Sequence, residues 1–130
     1  MGGSISVAVC DDARAVKLFF RQVLEEDGDI RVVSATSTGR EVVAAVARHR
    51  PDALLLDLLL PDVPEPRDLV RDLRARSPDT AIVLISNMPG PDLAEHAARI
   101  GADAWTPKAQ RPEQLREAVR AVVAHAPEPR

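Results

Sequence analysis

Residues 51–66 read PDALLLDLLLPDVPEP, an unbroken apolar run at 53–56 that stops at Asp57. No polar residue alternates within that run. A strand of this kind is buried on both faces, as in a parallel sheet covered by helices. Pro61, Pro64 and Pro66 hold the following loop out of regular structure, because proline fixes φ and lacks an N–H.

The same alternation of strand and helix extends in both directions. Upstream, Ile5 to Cys10 is a strand candidate ending at Asp11 and Asp12. Val16, Phe19, Phe20, Val23 and Leu24 then follow i, i+3, i+4, i+7, i+8 spacing, one face of a helix. Gly28 stops that helix and residues 30–35 read as a second strand. Thr38 with Glu41 fits a capping box, opening a helix through Val42, Val43 and Val46.

Downstream, Leu69, Val70 and Leu73 mark a third helix, closed by Ser77 and Pro78. Residues 81–85 form another continuous apolar strand, ending at Ser86. Pro89, Gly90 and Pro91 lead into a short helix over 92–100, with Gly101 as its C-terminal cap. Residues 102–106 are a weaker fifth strand, and Leu115, Val119, Val122 and Val123 stripe a last helix that begins at Pro112. Five strand–helix alternations predict right-handed crossovers and a doubly wound α/β sandwich. One domain over 5–125 accounts for the pattern, with 126–130 as a tail or the start of a linker.

Composition narrows the classes. A chain of 130 residues suits one domain, and its core must be aliphatic, since Phe19, Phe20 and Trp105 are the only aromatic residues. No apolar run approaches the ~20 residues that span a bilayer, so no membrane partner is expected. Cys10 is the lone cysteine, which rules out an internal disulfide and suits a reducing cytoplasm. The net charge of −3 argues against nucleic acid as a direct partner. DNA is expected only through an output domain absent from this chain.

Ligands of open α/β sheets bind beyond the carboxyl ends of the strands. There the sequence places Asp11, Asp12, Asp57, Ser86 and Lys108. If the first and third strands are neighbours, three carboxylates converge. At ~4 Å and an effective dielectric near 20, each pair costs about 4 kcal/mol, so a cation is called for. Mg²⁺ suits oxygen ligands and commonly bridges carboxylate to phosphate. Lys108 supplies a second positive charge, Ser86 a hydroxyl donor, and Asp57 a carboxylate nucleophile able to become an aspartyl phosphate. Cys10 reads as a small buried strand residue. His49, His96 and His125 lack metal spacing and read as surface residues, and Arg71, Asp72, Arg74 and Arg76 as a solvated helix face.

The ordered set Val9-Cys10-Asp11-Asp12, Asp57-Leu58-Leu59-Leu60-Pro61, Leu84-Ile85-Ser86 and Gly101-Ala102-Asp103-Ala104-Trp105 leading to Lys108 resembles the response-regulator receiver family of two-component signalling. The resemblance covers residues 5–123. It implies a flavodoxin-like fold with a five-stranded parallel sheet of order 2-1-3-4-5. It implies that Asp57 is the phosphoacceptor, supplied by a sensor histidine kinase or phosphotransfer protein. Asp11, Asp12, Asp57 and the backbone carbonyl of Leu59 would hold Mg²⁺, and Ser86 and Lys108 would contact the phosphoryl group. Ser86 and Trp105 match the switch positions that couple the site to the fourth helix, fifth strand and last helix, a surface that also suits a homodimer. The resemblance implies a signalling domain that assists its own phosphoryl transfer rather than an enzyme.

Several positions depart from the family pattern. Ala109 replaces the usual proline after the lysine, and Pro107 precedes it instead, which argues against the usual cis peptide. Asn87 is larger than the residue usual after the Ser/Thr, and Trp105 is bulkier than the usual Tyr or Phe. Leu59 and Met88 place apolar bulk where a polar residue would orient a water, so slow loss of phosphate is expected. A metal-dependent phosphatase with an aspartyl nucleophile is the competing reading. Such enzymes carry a second acid two residues on, where Leu59 stands here. A flavodoxin-like cofactor binder would need a phosphate loop after the first strand and aromatic residues to stack a flavin, and the chain has neither.

Overall fold

In the computed structural model, residues 4–124 are described, and the expectations for His125 and for a tail at 126–130 fall outside them. Five strands alternate with five helices. They are β1 (Ile5–Cys10), α1 (Arg14–Glu25), β2 (Ile30–Thr36), α2 (Gly39–His49), β3 (Ala53–Asp57), α3 (Pro66–Arg76), β4 (Ala81–Ser86), α4 (Gly90–Ile100), β5 (Ala104–Pro107) and α5 (Pro112–Ala124). Every pairing is parallel, in the order β2-β1-β3-β4-β5.

The apolar runs that decide the fold lie where burial is complete: every residue of β3 and β4 is buried. Successive strand side chains point to opposite faces, so each central strand feeds two cores. On one face Ala8, Leu54, Leu56 and Leu84 pack with α2, α3 and α4 through Val46, Leu73 and Leu93. On the other, Val9, Leu55 and Val83 pack with α1 and α5 through Phe20, Leu24, Leu115 and Val119. Full burial of one such side chain is worth about 1.5–3 kcal/mol, so a strand with two buried faces anchors the sheet.

Element ends follow local chemistry. Thr38 Oγ1 accepts from the Glu41 N–H at 3.1 Å, as the capping box requires, while the Glu41 carboxylate accepts from the N–H of Ser37 at 3.0 Å. Gly101 ends α4 in the left-handed region (φ 90°), and the N–H of Ala102 turns back to Ala97 O. That backward bond keeps Ala102 out of the sheet, so β5 begins at Ala104 and not at 102.

Two readings of helix faces need correction. Phe19 was placed on the buried stripe of α1, yet it is 46% exposed, while Phe20, Val23 and Leu24 are buried. At 100° per residue Phe19 sits on the margin of the stripe formed by Phe20, Val23 and Leu24. Arg74 is not merely solvated: its Nη2 donates to Gly101 O at 2.6 Å and pairs with Asp103 at 3.1 Å, tying α3 to the end of α4.

Arg116, on the face of α5 turned to α1, is itself buried. Its Nη1 donates to Val23 O at 3.0 Å and lies 3.3 Å from Glu26, and its Nε lies 3.1 Å from Asp27. The guanidinium thus closes the carbonyl end of α1, where a cation is favoured by the helix dipole.

Candidate functional site

β1 and β3 are neighbours, with Cys10 opposite Leu56, so Asp11 and Asp57 emerge side by side where these strands end. Carboxylate oxygens of Asp11, Asp12 and Asp57 lie within 4.8 Å of one another. The convergence inferred from the sequence is therefore real. Asp11 is fully buried and fixed by its own backbone: its N–H donates to Thr36 O at 3.0 Å, and its Oδ1 accepts from the Ala13 N–H at 2.8 Å. Asp12 is exposed at the rim, and Asp57 is buried.

Lys108 reaches this cluster from the loop after β5. Its Nζ lies 2.7 Å from Asp11 Oδ2 and 3.4 Å from Asp57 Oδ1. The Asp11 oxygen is fully buried, and the Lys108 ammonium is the cation paired with it. Burial pushes the Asp57 carboxyl above the usual carboxylate range; the Leu59 N–H opposes this, Asp11 adds to it and Lys108 offsets part. Burial also works against the charge on Lys108, but the contact with Asp11 and the charge of Asp57 prevail and raise it.

This donor set fits a small hard cation. Three carboxylates converge, two of them buried and with one ammonium between them, and Mg²⁺ takes oxygen ligands of this kind. Asp11, Asp12 and Asp57 are the side chains that would hold it.

The other expected residues divide into two groups. Ser86 is buried at the end of β4, where its Oγ accepts from the Met88 N–H at 3.2 Å and its carbonyl accepts from the Lys108 N–H at 3.0 Å. It ties the β4–α4 loop and the β5–α5 loop to the same edge. Leu59 turns its N–H to Asp57 Oδ1 at 3.1 Å, while its side chain is 70% exposed. Trp105 is 40% exposed, with its ring against Gly90 at the start of α4. A Cβ built on Gly90 would lie 3.6 Å from that ring.

Cys10 is buried beneath the site, and burial pushes its thiol up to about 11, so it stays protonated and unreactive. Among the described residues there is no cis peptide bond, as Ala109 implied. His49 is exposed and His96 half-buried on α4, beside Arg99.

Some contributors were not legible beforehand. The Leu59 amide, the pairing of Lys17 with Ser37 and the bonds of Asp62 to α2 arise from backbone or long-range contacts. Only the Pro61-Asp62 pair, a turn-forming dipeptide, hinted at the last of these.

A family model described as the response regulator receiver domain matches residues 7–120. The chain is 30% identical over 118 residues to the oxygen regulatory protein NreC of Staphylococcus epidermidis, covering 91% of this chain and 54% of that protein. It thus spans about half the length of the curated relatives it matches. Among solved structures, the signal receiver domain of the response regulator NarL from Mycobacterium tuberculosis superposes with a TM-score of 0.86 at 22% identity, over 95% of this chain and 99% of that one. CheY6, solved in complex with the P1 domain of CheA3 from R. sphaeroides, gives 0.81 at 24% identity, over 95% and 99%. With the ordered acids, the lysine and the 2-1-3-4-5 sheet all in place, the chain belongs to the response-regulator receiver domain family.

Proposed function

We propose that this receiver domain accepts a phosphoryl group on Asp57 from a histidine kinase or phosphotransfer protein and switches its surface in response. The observation that carries the reading is the convergence of Asp11, Asp12 and Asp57, with the Lys108 ammonium against Asp11 and Asp57. In the transfer, an Asp57 carboxylate oxygen forms a bond to phosphorus as the bond from phosphorus to the donor's imidazole nitrogen breaks. The electron pair leaves with the imidazole, which takes its proton from solvent. Bound Mg²⁺ would offset the charge on the transferring group. Asp11 and Asp12 would hold that ion, with the Leu59 carbonyl as a further ligand. Lys108 would shift from the carboxylates to a phosphoryl oxygen, and the Ser86 hydroxyl would turn from the Met88 amide to another.

That movement would reach the surface through the β4–α4 loop. Trp105 and the first turn of α4 are in contact, so a shift at Ser86 bears on the face made by α4, β5 and α5. The face is a candidate for homodimerisation or for an output partner. The exposed Leu18 and Phe19, on the helix that follows Asp12, offer an apolar seat for the phosphodonor. The chain would assist its own phosphorylation without turning over a substrate. A phosphatase is disfavoured because no acid stands at Leu59. Among the described residues no helix is long and apolar enough to cross a membrane, and a cytoplasmic setting suits the lone, reduced Cys10. A DNA-binding output would belong to a segment outside this chain.

The test is labelling by a small acyl phosphate with Mg²⁺. Wild type should label and Asp57→Asn should not; equal labelling of the two would reject the assignment.

A further inference from the structure

We propose that Asp62 is a positioning residue for the metal and phosphoryl site, clipping the β3–α3 loop to the start of α2 so that Leu59 presents its carbonyl to the ion. The inference rests on the metal-site reading above and adds a residue to it. Asp62 Oδ1 accepts from the Gly39 N–H at 2.8 Å and Oδ2 from the Arg40 N–H at 3.1 Å, one oxygen for each of two amides. Those bonds hold its carboxyl below the usual range, the Gly39 amide contributing most. Beside them Val63 rests on Gly39 so closely that a Cβ there would come 2.5 Å from Val63 Cγ2. The N–H of Val63 donates to Leu60 O at 3.1 Å, closing a turn.

Leu59 therefore lies between two clamps. On one side the Leu58 N–H donates to Ile85 O at 3.0 Å and the Leu59 N–H to Asp57 at 3.1 Å. On the other, Asp62 and Val63 fasten the loop to α2. A peptide carbonyl is aimed by its plane, so fixing both sides aims the Leu59 oxygen. Thr38 and Glu41 serve the amides of Glu41 and Ser37, so Asp62 supplies the acceptors for the first two amides of α2 and fastens the loop by the same bonds. Among the described residues, Asp62 makes the side-chain hydrogen bonds that tie this loop to α2, beside the apolar packing of Leu60 and Val63.

Titration calorimetry of Mg²⁺ on the whole chain tests the clip, with a thermal melt and amide exchange on each variant. Wild type should bind Mg²⁺ and Asp12→Asn should not; absence of binding by wild type would overturn the receiver-site reading and the clip together. Given binding by wild type, Asp62→Ala should weaken it roughly 10-fold or more, the range for residues that orient a ligand. Exchange at the Val63 amide should quicken with no metal present. Gly39→Ala should weaken binding likewise by displacing Val63, and adding Val63→Ala should restore most of it. Thr38→Ala removes the other cap and should lower the melting temperature while leaving Mg²⁺ affinity unchanged. The clip is overturned if Asp62→Ala binds as wild type does, or if Thr38→Ala weakens binding as much.

Discussion

The ammonium of Lys108 lies 2.7 Å from the buried Oδ2 of Asp11, joining the loop after the last strand to the end of the first. It is also 3.4 Å from Asp57, so one lysine offsets part of the charge of two carboxylates that repel each other. Without metal the site carries more negative than positive charge, and that excess governs how the domain responds to substitution and to pH.

Lys108→Met leaves Asp11 and Asp57 uncompensated. Loss of one partner from a buried ion pair costs about 3–5 kcal/mol, an upper bound here because Asp57 can take a proton. The melting temperature of metal-free protein should fall by more than 5 °C at neutral pH, at roughly 3–5 °C per kcal/mol. Added Mg²⁺ should recover most of the loss. For Lys108 itself the folded pKa is raised, so its contribution is complete below the ordinary lysine value and fades only at alkaline pH. An unchanged melting temperature at pH 7 would show that Lys108 is not the counter-charge.

Asp57→Asn should stabilise the metal-free domain at neutral pH. The folded carboxyl is pushed up, chiefly by burial, so its favourable contribution is complete below the unfolded pKa and is lost as pH rises through the folded one. Each unit of that displacement is worth about 1.4 kcal/mol. Thermal melts from pH 4 to 8 should show wild type losing stability relative to Asp57→Asn as the acid ionises, with the curves converging toward pH 4. Parallel curves would contradict this.

Polar residues in place of Leu59 and Met88 should shorten the life of the phosphorylated state. A water oriented for in-line attack needs a partner, and these side chains offer none. A gain of roughly 10-fold in the hydrolysis rate corresponds to about 1.4 kcal/mol of barrier. The decay of labelled protein after removal of the donor measures it. If Leu59→Asn and Met88→Gln lose phosphate no faster than wild type, apolar bulk is not what protects the group.

Arg116→Ala should destabilise the domain by about 2 kcal/mol. It removes a charged donor from Val23 O and leaves space against α1, while the exposed Glu26 and Asp27 contribute little in water. Urea unfolding should show a lower midpoint, and Mg²⁺ affinity should not move. A variant as stable as wild type would show that the packing of Leu115 and Val119 suffices for α5.

Much of this was legible from residues alone, because parallel strands buried on both faces write themselves as unbroken apolar runs. Residues 53–56 and 81–85 set the centre of the sheet, and the acids that end β1 and β3 followed. Helix faces were less legible at their margins: Phe19 fits the period of Phe20 and Val23 yet is exposed. Arg74, Arg116 and Asp62 act on groups distant in the chain, so their roles depend on packing that no local spacing encodes. The outward stance of Trp105 against Gly90 was equally hidden, since an aromatic residue on an edge strand has no fixed rotamer until its neighbours are placed.

The most direct test of the phosphoacceptor is chemical mapping. Protein treated with a small acyl phosphate and Mg²⁺ is reduced with borohydride, which converts an aspartyl phosphate to homoserine, and is then digested and sequenced by mass spectrometry. The expected result is homoserine at position 57, dependent on Mg²⁺ and lost in Asp12→Asn. Conversion at Asp11 or Asp12 with Asp57 intact, or at none of the three, would contradict the assignment.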